Sequence, residues 1–289
     1  MADGSGDRLV ASLHRRAGAE KKPLAILIHG LTGCEDSSYV RATARHLLGR
    51  GLGVLRLNLR GAGPSRPLCR GHYHAGRTED LRDALLALQE LREDLLAVGL
   101  LLVGYSLGAN MLLKFLAEHA AIFPVLAAAA VSAPIDLKAA QERIMTPRNA
   151  VYHHYLLARM KDEAMAAPTV VGEEERRAIR GLRTVYEFDE HRVAPHGGFA
   201  GADDYYGCCS ARQFLAEIAV PTLVIHALDD PWIPAEPYLS YDWSTAKAVT
   251  PLLPAGGGHV GFHGGDGCTP WHNSRIADFF ASRSTSGLA

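Results

Sequence analysis

The sequence predicts an α/β protein with a mostly parallel central sheet flanked by helices and a helical lid-like insertion over one sheet edge. Three observations lead there. Pro23–Ile28, Val98–Val103 and Val125–Val131 are near-continuous apolar runs, as strands covered on both faces should be. Amphipathic helical stretches alternate with strand-like runs four times, the rhythm of a parallel sheet. Gly104-Tyr-Ser-Leu-Gly108 sits at one strand-to-helix junction, where a Gly-x-Ser-x-Gly turn projects its serine from the carboxyl edge of the sheet.

Each element has its own local reason. Residues 8–16 alternate weakly and suggest an antiparallel edge strand. The run ending at Ile28 opens into His29-Gly-Leu-Thr-Gly33, a glycine-bracketed loop, and a helix from about Ser37 carries Val40, Ala44, Leu47 and Leu48 at helical spacing until Gly49 and Gly51 stop it. A strand at Val54–Leu59 follows. Thr78–Asp94 reads as an amphipathic helix, with Thr78 as its cap, Glu79 and Asp80 at its positive end, and Leu81, Leu85, Leu88, Leu91 and Leu95 facing inward. Beyond the strand at Val125–Ser132 the rhythm breaks. Between Pro134 and about Ile218 the chain is helical but irregular, with helices expected at Ala139–Arg143, Val151–Ala164 and Glu173–Arg183 and interruptions at Pro147, Pro168 and Pro195. The sheet resumes at Pro221–Ala227 and Ala248–Leu253, and a closing helix spans Trp271–Phe280. Residues 1–134 and 219–289 therefore form the core, and 135–218 an insertion at the edge where α/β proteins place ligands.

Composition bounds the function. The 289 residues are 48% hydrophobic and 21% charged with a net charge of −1, which points away from nucleic acid or an anionic membrane surface as partner. The polar stretch Met1–Arg8 has no signal-peptide character, and no apolar run is long enough to span a bilayer. Five scattered cysteines (Cys34, Cys69, Cys208, Cys209, Cys268) read as free thiols, so a cytoplasmic setting is expected. His72-x-His74 and His153-His154 lack a carboxylate or thiol at ligand spacing, which argues against a metal site. His226, inside an apolar strand, reads as a hydrogen-bonded core histidine.

A serine hydroxyl needs a base, and the base needs an orienting acid. The chain supplies them in order, each after a strand: Ser106, the pair Asp229-Asp230, then His259, which three glycines precede. Adjacent aspartates cannot both point at one imidazole. His263 and His272 are better placed at the surface or in loop packing. Acyl transfer also needs donors for the tetrahedral oxyanion, and the backbone N–H groups of Leu107 and Leu31 stand where they are required, with His29 ordering the second loop.

The stretches His29–Gly33, Asn58-Leu-Arg-Gly-Ala-Gly63, Tyr73-His-Ala-Gly-Arg-Thr-Glu-Asp-Leu81, Gly104–Asn110, Asp229-Asp-Pro231 and Gly257-Gly-His-Val-Gly-Phe262 together resemble the YheT-type branch of the α/β-hydrolases. Ala109 stands where that family often has a second glycine. The segment Ala227–Pro234 is similar to the pattern around the acid in such enzymes, a register that selects Asp230 and leaves Asp229 to stabilise the turn. The resemblance implies a serine esterase or lipase-like hydrolase acting on a small-molecule acyl ester, with no cofactor. Ser106, His259 and Asp230 would carry the chemistry, the Leu31 and Leu107 amides would hold the oxyanion, and insertion aromatics Tyr152, Tyr155, Tyr186, Phe188, Phe199, Tyr205 and Tyr206 would wall the acyl pocket. A thioesterase, acyltransferase or perhydrolase would use the same groups, and a non-catalytic binding protein would keep only the scaffold.

Overall fold

A computed structural model of the chain describes residues 1–16, 19–169, 172–263 and 269–284; Cys268, read above as a free thiol, lies outside them. Seven strands form one sheet: β1 (Ala11–His14), β2 (Leu24–Ile28), β3 (Gly53–Leu57), β4 (Leu100–Tyr105), β5 (Val125–Val131), β6 (Thr222–Ile225) and β7 (Val249–Leu252). Their spatial order is β1-β3-β2-β4-β5-β6-β7; β1 runs antiparallel to β3 and every other pair is parallel. The α/β expectation and the antiparallel edge strand both hold. Pro251, which cannot donate to a ladder, sits in β7 at the opposite edge.

Side chains alternate across the pleat, so each central strand feeds two cores. From β2, Leu24, Ile26 and Ile28 enter one apolar cluster with helices α2 (Thr78–Leu91) and α3 (Leu107–Glu118). Ala25 and Leu27 enter the other, with α1 (Ser38–Gly49) and the closing helix, which extends from Trp271 to Ser284. All five β2 residues are buried, which explains the continuous apolar run.

One helix start differs from its sequence reading. Thr78 is already helical and Arg77 occupies the cap position, without a side-chain cap bond. The Thr78 hydroxyl is buried and donates instead to Glu118 Oε2 on α3 (2.7 Å), so it joins two helices rather than capping one. Asp80 stays in the first turn but turns inward, where it accepts from the Arg60 guanidinium (2.6–3.1 Å), itself 1% exposed.

Between β5 and β6 the described residues form helices joined by turns, with no strand among them: α4 (Leu137–Ile144), α5 (Ala150–Met165), α6 (Glu173–Gly181), α7 (Val185–Phe188), a five-residue π-helical turn at Asp189–Val193, α8 (Ala194–Gly197) and α9 (Ala202–Cys209). The first three lie within about two residues of the expected bounds. Leu156, Leu157, Met160, Ala164, Ile179, Val185 and Phe188 form a small apolar cluster of this segment's own. The short helix α10 (Glu236–Leu239) and α11, the closing helix, complete the chain. Among the described residues no helix is long and apolar enough to cross a membrane.

The sheet order reverses between β2 and β4: the chain leaves β2 for β3 on one side and returns to β4 on the other. The loops after these two strands diverge and leave a crevice at their carboxyl ends, the position where open α/β sheets take ligands. His29–Gly33 and Ser106 follow those two strands.

Candidate active site

Ser106 lies between the last residue of β4 and the first of α3 with φ 51° and ψ −124°, a conformation that strains a residue bearing a Cβ. Its N–H donates to Val131 O on β5 (2.9 Å), which fixes the turn against the neighbouring strand. The flanking glycines permit that turn. A Cβ on Gly108 would stand 2.1 Å from the His29 carbonyl oxygen, and one on Gly104 would stand 2.6 Å from the Gly108 carbonyl oxygen. Strand, turn and helix pack too closely for any side chain at either position.

The structure brings the three sequence-selected side chains together. His259 Nε2 is 3.0 Å from Ser106 Oγ, and His259 Nδ1 is 2.8 Å from Asp230 Oδ2. A carboxylate only accepts, so Nδ1 carries the proton and Nε2 is left to accept from the serine hydroxyl. Asp230 is 2% exposed and its Oδ1 accepts from the N–H groups of Trp232 (2.9 Å) and Ile233 (3.1 Å). Burial alone would push this carboxyl up; the bond to His259, its charge and the two N–H donors together hold it below the ordinary aspartate value. Asp229 points elsewhere: its Oδ1 accepts from Gly258 N–H (2.8 Å) and so ties down the loop that carries His259.

The backbone around the site is strained as a group. Among the described residues the non-glycine residues with positive φ are Thr32, Ser106, Ser132, Val260 and Phe262, all in the loops at this sheet edge. Ser132 Oγ accepts from Val260 N–H (3.1 Å), and Phe262 N–H donates to Gly257 O (2.7 Å), so the left-handed residues beside His259 are held by specific bonds. Maintaining such conformations costs about 1–3 kcal/mol each and requires the surroundings to over-determine them.

The loop after β2 is ordered from three directions. His29 is buried; its Nδ1–H donates to Gly30 O (2.8 Å) and its Nε2 accepts from Leu59 N–H (3.1 Å), while burial pushes its pKa down to about 4. Tyr39 accepts from Gly30 N–H (3.0 Å). The Tyr73 hydroxyl accepts from Thr32 N–H (2.6 Å) and donates to Glu163 Oε2 on α5 (3.1 Å). Leu31 and Leu107 line the cavity beside Ser106, and neither N–H donates to an acceptor among the described residues. Tyr39 and Tyr73 received no role from the sequence, although Tyr73 opens one of the stretches that carry the resemblance.

Ser106 and His259 open onto a cavity of about 350 Å³ walled by Leu137, Ile144, Leu156, Met160 and Val185 from the helical segment. Of the seven aromatics expected there, Tyr152, Phe188, Tyr205 and Tyr206 line it. Tyr155 is 59% exposed and faces solvent, because it falls on the outer face of α5. Phe199 packs edge-on against His74. Trp232 stacks on Tyr152 (3.5 Å, 6°) and lies 4.7 Å from the His259 ring, so it joins the wall to the imidazole.

Two other histidines are buried near this edge, and one departs from its sequence reading. His226 is fully buried as expected, yet neither ring nitrogen has a hydrogen-bond partner among the described residues; it stacks on Tyr238 (4.1 Å, 3°), and burial lowers its pKa to about 4. Of the two places read for His272, surface or loop packing, the structure gives the second: it is buried against the rings of Phe262 in the His259 loop and of Tyr105.

The fold and this arrangement define an α/β-hydrolase. The serine aminopeptidase S33 family model matches residues 19–242, and the chain is 36% identical to Escherichia coli YheT over 272 residues, 92% of this chain and 78% of that protein. The chain belongs to the α/β-hydrolases, in the YheT-type branch. It is 27% identical to the monoacylglycerol lipase of Saccharomyces cerevisiae across 90% of its own length, but spans 59% of that protein. The Pyrococcus furiosus esterase Pf2001 superposes with a TM-score of 0.63 at 17% identity, over 98% of this chain and 94% of that one, which shows the common fold.

Proposed function

We propose that the protein hydrolyses carboxylic esters through an acyl-enzyme on Ser106. The observation that carries this reading is the hydrogen-bonded series Ser106–His259–Asp230 at the mouth of an apolar cavity, beside two undirected backbone donors. His259 Nε2 takes the hydroxyl proton as Ser106 Oγ attacks the ester carbonyl carbon. The charge that develops on the carbonyl oxygen accepts from the Leu31 and Leu107 N–H groups, each donor worth about 3–4 kcal/mol in the transition state. Asp230 stabilises the imidazolium, which passes its proton to the departing alcohol oxygen as the C–O bond breaks. Water then attacks the acyl-serine with His259 again as base, releasing acid and free serine.

The cavity volume and its aliphatic walls suit a short to medium acyl chain, with residues 135–218 as the cap that encloses it. The relative named as a monoacylglycerol lipase supports a glycerolipid-like ester as substrate. No step of this mechanism calls on a metal or organic cofactor. A cytoplasmic working place belongs to the same reading, in keeping with the four described cysteines, none of which is bridged.

Purified protein is expected to release p-nitrophenol from butanoate or octanoate esters. Ser106→Ala should lower kcat by about 10⁴-fold or more. Turnover unaffected by that substitution would place the nucleophile elsewhere. Faster reaction with thioesters, or with an added alcohol as acyl acceptor, would move the assignment to the related transferases.

A further inference from the structure

The apolar cavity holds one acid that the mechanism does not use. Asp189 begins the π-helical turn at Asp189–Val193, a rare geometry that recurs at functional sites, and is among the residues lining the same cavity as Ser106. It is 7% exposed, and no lysine, arginine or histidine forms an ion pair with it among the described residues. Its single hydrogen-bond partner is the Tyr206 hydroxyl on α9, which donates to Oδ2 (2.6 Å); Oδ1 has no donor among the described residues.

An acid with one bond, set in an aliphatic wall, costs the fold free energy. A purely structural tie between the π-turn and α9 could be made by two apolar side chains of the same shape at little or no cost. What the carboxyl adds is an acceptor on a residue of the cavity wall. Burial pushes Asp189 up to about 7, so near neutral pH it exchanges between an acceptor-only form and one that also donates, and a hydroxyl group can pair with either.

We propose that Asp189 is a specificity-determining residue whose Oδ1 hydrogen-bonds a hydroxyl group carried by the ester substrate, with Tyr206 positioning the carboxyl through Oδ2. The substrate class is then a hydroxylated ester rather than a plain alkyl ester. This rests on the ester-hydrolase reading for its substrate, but the binding it describes is measurable without turnover. The hydroxyl can belong to the alcohol part or to the acyl chain, and two matched probes separate these sources: glycerol 1-monobutanoate and propyl 3-hydroxybutanoate, each compared with propyl butanoate.

Calorimetric titration of the Ser106→Ala protein with the three esters gives the binding ratios, and kcat/KM of the unmodified enzyme on the same esters gives the catalytic ones. One hydroxylated ester should exceed propyl butanoate roughly tenfold, the scale of one well-made hydrogen bond. In the paired variant Asp189→Leu/Tyr206→Phe that ratio should fall to near one, with a larger loss on the hydroxylated ester than on propyl butanoate. Tyr206→Phe alone should lower the ratio partway, and it carries the test if the paired variant does not fold. Ratios near one in the unmodified protein, or ratios that survive these substitutions, overturn the proposal; so does an equal loss on all three esters, the mark of a structural role. A binding preference without any turnover would support the subsite and overturn the ester-hydrolase reading.

Discussion

The sheet edge and the helical segment above it contribute to one cavity on opposite physical terms. At the sheet edge the backbone is strained and close-packed: Ser106 has φ 51°, and Gly108 lies so near the His29 carbonyl that a methyl group would overlap it. In the segment the helices other than α5 are short and joined by turns, Gly207 meets nothing within 4 Å of where a Cβ would sit, and the cavity-facing chains are mostly aliphatic. The contrast assigns labour. On the proposed function, chemistry falls where geometry is over-determined, and selection of the substrate where side chains can be exchanged without moving the backbone. Several hydrogen bonds join the two, among them those of Arg143 and Asn149 to Pro231 O and the link that runs from Thr32 N–H through the Tyr73 hydroxyl to Glu163 on α5.

Substitutions that fall on either side of this divide should behave differently. The largest effect is expected for Gly108→Ala, where the added methyl at 2.1 Å from a carbonyl oxygen forces helix α3 away from the β2 loop; esterase activity should disappear, together with much of the folded yield, as read by turnover and circular dichroism. Asp230→Asn should keep the fold and lower kcat by about 10³–10⁴-fold, because the imidazole loses both its tautomer preference and its counter-charge. The adjacent Asp229→Ala loses one bond to Gly258 N–H on the loop and should stay within roughly an order of magnitude of the unmodified kcat. A larger loss there would mean that the loop anchor matters as much as the orienting acid.

Tyr73→Phe probes the link itself. It removes the acceptor for Thr32 N–H beside the Leu31 donor, and kcat should fall about tenfold with the apolar packing of the ring intact. No change would show that the β2 loop holds its shape without the cap. The smallest effect belongs to the segment: Gly207→Ala, exposed within α9 and free of clashes, should raise stability by about 0.5–1 kcal/mol in denaturant unfolding and leave kcat/KM unchanged.

The same divide decides what could be read from the sequence. Gly104, Gly108 and the order Ser106, Asp230, His259 are legible because a strained turn and a relay of three chemical roles admit few residue types at few spacings. Asp230 was separable from Asp229 through the proline register that follows it, and the structure turns the two carboxylates to different donors. The Tyr73 bridge was not legible, since the pairing of its hydroxyl with Thr32 and Glu163 spans 41 and 90 residues and leaves no local pattern. Thr78 looked like a cap because local rules cannot see Glu118 waiting on the next helix. His226 looked as if it needed a partner and instead stacks on Tyr238, a contact supplied by a four-residue helix too short to show a periodic signal. In the segment, helices as short as Val185–Phe188 and Ala194–Gly197 carry too few residues for a periodic signal, and the π-turn that presents Asp189 has none.

The central claim is that Ser106 is the residue whose nucleophilicity the whole sheet edge is built to raise. Reaction of the intact protein with a fluorophosphonate, followed by mass analysis of the intact chain and of its peptides, tests it most directly. The account predicts a single stoichiometric adduct on the peptide carrying Ser106, absent from the Ser106→Ala protein and much slower to form in His259→Ala. A folded protein that forms no adduct, or one that is labelled equally well without Ser106, would contradict it.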